Sequence, residues 1–221
     1  MSLQLERLYS RGTELRALGE DEDDDDFALE GYSATWDGES EDLGGFRERC
    51  TPTAFTRALN EGQDVRCLRN HNPDFLLGRV KNRTLQLRCD NRGLHFRCLL
   101  DPNNPEHRST HASVRRGDID ACSFAFRCVS DTWQDATDRS GNRYALRLLN
   151  DVDLQDCSVV CYPAYQQTTV QARALLLFPD GQPAEVRSAL QTYQMNKTFR
   201  VSDAEFKQRR ERMRRQQKLV L

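Results

Sequence analysis

A chain of 221 residues, 38% hydrophobic and 30% charged, has room for one domain with a proper core and an appended segment, and its surface is heavily charged. No apolar run approaches the ~20 residues that a membrane helix needs. The opening Met1-Ser2-Leu3-Gln4-Leu5-Glu6 lacks the basic-then-apolar order of a secretory leader, so a protein made and used in a cytoplasm, without a membrane partner, is expected.

The net charge of −2 conceals two opposed blocks. Glu20-Asp21-Glu22-Asp23-Asp24-Asp25-Asp26 repels itself too strongly to fold alone, and residues 1–26 read as an acidic, mobile arm holding at most a pair of helical turns. The globular part begins at about residue 27 and runs to about 175. Its first strand is expected over residues 28–36. Thr51-Pro52 then opens a short helix whose apolar face is Phe55, Ala58 and Leu59, stopped by Gly62. Residues 65–70 read as a strand that delivers His71 into an Asn72-Pro73 loop.

Strict alternation over residues 84–89 and 93–98, joined by Asp90-Asn91-Arg92-Gly93, predicts a hairpin. Asn104-Pro105 can start a helix and Gly117 can end it. His107 and His111 stand four apart on that helix, but Arg108-Ser109-Thr110 between them excludes the metalloprotease pattern, and a solvated face is the expected reading. In the strand over residues 121–129, Cys122, Phe124, Phe126 and Cys128 share one face, which turns Ser123 to the opposite face and toward solvent. Residues 131–142 are polar and read as a loop, with strand material resuming at 144–149 and 152–161.

Beyond residue 175, the breaker Pro179-Asp180-Gly181-Gln182-Pro183 leads into a tail opened by the capping-box signature Ser202-Asp203-Ala204-Glu205. Residues 176–221 are thus expected to be a linker and a basic helix. No aromatics interleave with the arginines of this tail, which disfavours nucleic-acid binding and favours an acidic protein surface. The eight cysteines include no Cys-x-x-Cys and fit no structural zinc spacing, so they read as reduced, small buried hydrophobes. Strands outnumber helices, pointing to a mainly β (α+β) fold: a closed or nearly closed β-barrel decorated by short helices.

The chemistry concentrates in three segments. Leu68-Arg69-Asn70-His71-Asn72-Pro73 offers a histidine at the end of a strand, Cys122-Ser123-Phe124-Ala125-Phe126 a serine within another, and Asp156-Cys157-Ser158-Val159-Val160 an acid on a third. A serine hydroxyl attacks only if a base takes its proton, imidazole is suited to that role, and a carboxylate can hold the imidazole in the productive tautomer. His95, His107 and His111 are also available, and His95 is the rival to Asp156 for the third position.

These segments, their order and their spacing resemble the HK97-type prohead (capsid maturation) proteases of tailed bacteriophages, from about residue 27 to about residue 170. The resemblance is carried by Gly31-Tyr32-Ser33-Ala34-Thr35-Trp36, Phe46-Arg47-Glu48-Arg49, Pro52-Thr53-Ala54-Phe55, His71 followed by Leu77-Gly78-Arg79, and Gly117-Asp118-Ile119-Asp120 just before the serine strand. Asp156 to Val160 followed by Pro163-Ala164-Tyr165 matches the closing block. Ala125 stands where the family has glycine and Asp156 where it more often has glutamate.

The resemblance implies a serine endopeptidase with His71, Ser123 and Asp156 as catalytic residues and no metal or organic cofactor. It also implies an assemblin-like barrel. The implied substrate is the scaffold segment of the major capsid protein, met inside the immature capsid in the host cytoplasm. Self-association, a portal contact and self-cleavage between residues 165 and 200 are further expectations. The rivals are an inactive assembly factor that keeps the fold and binds scaffold, and a basic-tailed nucleic-acid-binding protein.

Overall fold

The computed structural model describes residues 5–10, 14–19, 27–43 and 46–161. Ten strands and two short helices follow one another there: β1 Glu6–Ser10, β2 Arg16–Leu18, β3 Ala28–Thr35, β4 Phe46–Cys50, α1 Thr56–Asn60, β5 Arg66–Arg69, β6 Asn72–Arg79, β7 Leu85–Cys89, β8 Gly93–Leu99, α2 Pro105–Arg115, β9 Ala121–Thr137 and β10 Arg143–Val160. One sheet runs β1-β9-β10-β5-β6, with β4 also on β10, and a second runs β2-β3-β8-β7. The protein is therefore mainly β, as its alternating sequence predicts.

β10 is the spine. On one side it pairs antiparallel with β9 over nearly its whole length. On the other side β4 pairs in parallel with residues 145–149, and β5 in parallel with residues 156–159. The chain between β4 and β5 fills the gap. Thr51 donates its amide to the Leu149 carbonyl at 3.0 Å, Val152 donates to Ala54 at 3.1 Å, and Leu154 N–H reaches the Gln63 side chain at 2.8 Å. These bonds satisfy backbone groups at the register shifts of β10, which would otherwise be stranded.

The ladders form two sheets, and no closed barrel is found among the described residues. β6 leads from the first sheet to β7 of the second through a tight turn in which the Arg79 amide donates to the Thr84 hydroxyl, a side-chain contact in place of a ladder. Strands β1 and β2 lie within residues 1–26, where an unpaired arm is expected; partners on β9 and β3 supply the pairing that the local sequence cannot. The polar stretch 131–137 continues β9 instead of looping. It projects as one arm of a long hairpin whose residues alternate between half-buried and exposed, so its polarity reflects solvent on one face.

The core lies between the sheets. Phe55 meets Phe124 edge-on at 5.3 Å, Phe124 lies 5.2 Å from Phe126, and Leu29, Leu94 and Phe96 from the second sheet complete the cluster. Five of the eight cysteines are buried, Cys50, Cys67, Cys98, Cys122 and Cys157, while Cys89 is exposed. Asn104 caps α2 by accepting the Glu106 amide at 2.9 Å, and Gly117 ends it with a φ of +79°. The expected self-cleavage region between residues 165 and 200, the boundary at 175, the breaker and the basic helix lie outside the described residues.

Candidate active site

Three neighbouring strands bring the sequence-predicted residues together. Asp156 and Ser158 are two apart on β10 and so share a face. Ser123 of β9 lies opposite Ser158, and Ala125 lies opposite Asp156. On the other flank, β5 ends at Arg69 beside Val159, and the chain turns back at once into β6, with Arg69 facing Asn72. That hairpin turn is only two residues long, Asn70 and His71, both with φ +55°. This is the type I′ pattern, whose twist matches that of the strands. Asn72 and Pro73 thus open β6 instead of forming a loop, and Pro73 is tolerated because β6 is a sheet edge.

The turn folds His71 over β10 toward β9. Its Nδ1 lies 2.7 Å from Asp156 Oδ1 and its Nε2 lies 2.8 Å from Ser123 Oγ. Ser158 donates to the same Asp156 oxygen at 2.6 Å. A carboxylate only accepts, so His71 donates from Nδ1, leaving the Nε2 lone pair directed at the serine hydroxyl. Asn70 clamps the turn: its amide donates to the Val159 carbonyl at 2.9 Å, and its Oδ1 accepts the Cys161 amide at 2.9 Å.

The site is closed. Ser123 is 2% exposed, not solvent-facing as its strand face suggests: the His71 ring meets its hydroxyl on one side and β1, paired along β9, brings a carbonyl against it on another. The Ser123 hydroxyl lies 3.0 Å from the Leu8 carbonyl of β1. A hydroxyl has a single proton, so this carbonyl competes with His71 for it. Cys157, between Asp156 and Ser158, is no rival nucleophile: burial pushes its thiol up to about 12.

The other histidines lie elsewhere. His95 is on β8 of the second sheet, edge-on to Tyr32 and 4.0 Å from Glu30, and burial lowers its pKa. It is Asp156, and not His95, that meets His71. His107 and His111 are buried cross-links instead of a solvated face. His107 Nδ1 accepts the Asp101 amide and Nε2 donates to the Leu76 carbonyl, both at 2.9 Å. His111 donates to the Leu18 carbonyl at 2.8 Å and stacks on Phe27. No cluster of three His, Cys, Asp or Glu side chains that could hold a metal occurs among the described residues.

Three contributors were not assigned a role from sequence: Asn70, Ser158 and the Leu8 carbonyl. Asn before His in a two-residue connection is a usable signal, since asparagine tolerates positive φ. Ser158 needs the β9–β10 register before its position means anything. A backbone carbonyl from a distant strand leaves no trace in side-chain identity.

A family model described as caudovirus prohead serine protease matches residues 14–177, which is most of the chain. No curated protein and no solved structure matches it. The chain belongs to the caudovirus prohead serine protease family.

Proposed function

We propose that this family member is an active serine endopeptidase in which Ser123 is the nucleophile, His71 the general base and acid, and Asp156 the orienting carboxylate. The observation that carries the reading is the double engagement of one imidazole, 2.7 Å to Asp156 on Nδ1 and 2.8 Å to Ser123 on Nε2. As Ser123 Oγ bonds to a peptide carbonyl carbon, its proton passes to Nε2, and Asp156 stabilises the resulting imidazolium. The tetrahedral adduct then collapses, the C–N bond breaks, and the proton moves from Nε2 to the leaving amine. Water, deprotonated by the same nitrogen, attacks the acyl-enzyme ester and frees Ser123.

The substrate is the scaffold segment of the major capsid protein, cleaved inside the immature capsid in the host cytoplasm. Family membership supports this setting, and the charged blocks at residues 20–26 and 207–218 suit co-packaging with oppositely charged scaffold or capsid surfaces. The enzyme associates with itself, contacts the portal region and cuts its own chain between residues 165 and 200, where a Gln-, Thr- and Ala-rich stretch offers an extended backbone.

Co-expression with the capsid protein, read by intact-mass spectrometry, tests both claims. Ser123→Ala should abolish scaffold cleavage while the capsid protein remains full-length, and the C-terminal truncation should appear in the wild type alone. Processing of the scaffold by Ser123→Ala at the wild-type rate would reassign the nucleophile. A full-length enzyme in both samples would remove self-cleavage and leave scaffold digestion standing. No cleavage by either, with both folded, would support the inactive assembly factor.

A further inference from the structure

A nucleophile that is 2% exposed, with its hydroxyl against the carbonyl of the adjacent strand, cannot receive a peptide on that side until the strand moves. The strand is β1, which among the described residues is an edge element laddered with β9 alone. Their antiparallel register runs from Glu6 opposite Phe126 to Ser10 opposite Cys122. It lays an extended backbone along the strand that carries Ser123 and holds one carbonyl, that of Leu8, 3.0 Å from Oγ. A scissile carbonyl must approach that oxygen at about the same distance. β1 thus lies where a substrate peptide added to the β9 edge would lie, with residue 8 in the position of the residue whose carbonyl is attacked.

The way β1 is held points to a removable occupant. Its anchors are the Leu8 side chain, 5% exposed among the core residues, and the Glu6 carboxylate, 2.7 Å from Arg147. Arg147 is almost wholly buried, and stripping a buried charge of its partners is costly. It also holds Glu48 at 2.7 Å and Asp131 at 2.5 Å, so it keeps two carboxylates when Glu6 leaves. Release of β1 therefore leaves Arg147 paired and uncovers the recess that holds Leu8. β1 lies before residue 14, where the family match begins.

We propose that the β9 edge beside Ser123 is the substrate-binding site, taking an extended peptide antiparallel to β9, and that β1 occupies it as an internal blocking strand. The side chains of β1 also describe the ligand. The vacated site offers an apolar recess where Leu8 sat and the Arg147 guanidinium where Glu6 sat. The preferred substrate carries an apolar residue at the cut and an acidic residue two positions before it.

This inference rests on the assignment of Ser123 as nucleophile, and the test separates the two. A fluorophosphonate probe, which bonds to activated serines, is reacted with the wild type, with Glu6→Lys/Leu8→Asp, with a chain lacking residues 1–10 and with Ser123→Ala, and labelling is followed by intact mass. Freeing the site should accelerate labelling by ~10-fold or more, because only the open fraction of the wild type reacts. A synthetic peptide of residues 1–12 should slow the released forms again, and the same peptide carrying Leu8→Asp should not. Folded released variants that label at the wild-type rate, with Ser123→Ala inert, overturn the blocking strand and leave the nucleophile in place. Absence of Ser123 labelling in every folded form overturns both. Hydrogen exchange on the unmodified chain gives an answer that needs no variant. β1 amides should exchange well before those of β9 and β10, and exchange of all three in one step would overturn the proposal.

Discussion

Asn70 does two jobs that a single substitution series can separate. It occupies the left-handed region at φ +55°, and its side chain ties the turn to the end of β10. Asn70→Gly keeps the first and loses the second; Asn70→Ala loses both. Thermal melts should rank wild type above Asn70→Gly above Asn70→Ala, with steps of about 1 kcal/mol, and kcat should fall in the same order with little change in KM. Asp156→Asn keeps the shape of the site but can donate to Nδ1, favouring the unproductive tautomer, and should lower turnover by ~10²- to 10⁴-fold. Peptide-cleavage kinetics check this beside His95→Ala, which should cut at close to the wild-type rate because His95 sits with Tyr32 and Glu30 in the other sheet. At this scale, residue types in ordered segments were enough to bring His71, Ser123 and Asp156 forward. The meeting of His71 and Ser158 on one Asp156 oxygen depends on how the β5–β6 turn lies beside β10, which no local pattern encodes.

The β5–β6 hairpin is held at its turn by Asn70 and at its open end by a charged clasp. Arg79 of β6 donates to the Asp64 carboxylate just before β5, with Nε contacts of 2.9 Å, and this pairing holds the Asp64 carboxyl down at about 2. A carboxyl depressed in the folded state adds stability that is present above its unfolded pKa and is lost as the pH falls through the folded one. The clasp should therefore weaken between about pH 4 and pH 2. Both side chains reach solvent, so screening keeps the contribution of the pair small. Chemical denaturation of Asp64→Asn should show a small loss at pH 7 that vanishes near pH 2. A loss undiminished at pH 2 would assign the effect to packing. Alternation made the β7–β8 hairpin legible, as did Asn-Pro and glycine the limits of α2. The arm of β9 over residues 131–137 was hidden because its polar side chains face water, where composition cannot separate a strand from a loop. The two α2 histidines misled for the opposite reason: backbone carbonyls of Leu76 and Leu18, far away in sequence, make them interior residues.

Across the whole molecule, a mainly β class was readable from alternation, whereas division into two sheets was not, since it follows from which edges find partners. One arrangement reaches further. β9, β4 and β5 make separate ladders with β10, and the His71 turn leans on it as well. β10 is also the last strand of the described fold to leave the ribosome. Until Arg143–Val160 has emerged, β4, β5 and β9 lack their common partner, and these long-range pairings must wait for chain that is not yet made. A nascent chain then carries His71 and Ser123 but neither Asp156, which meets His71, nor the surface that aligns them, so the three side chains come together only once β10 has emerged. Ribosome-bound chains stalled just before Arg143 should be digested readily by an added protease and leave a fluorophosphonate unreacted, whereas chains stalled well beyond Val160 should resist digestion through β9. For an enzyme that hydrolyses proteins, this delay keeps the ribosome and the unfinished chain beyond the reach of its own chemistry during translation.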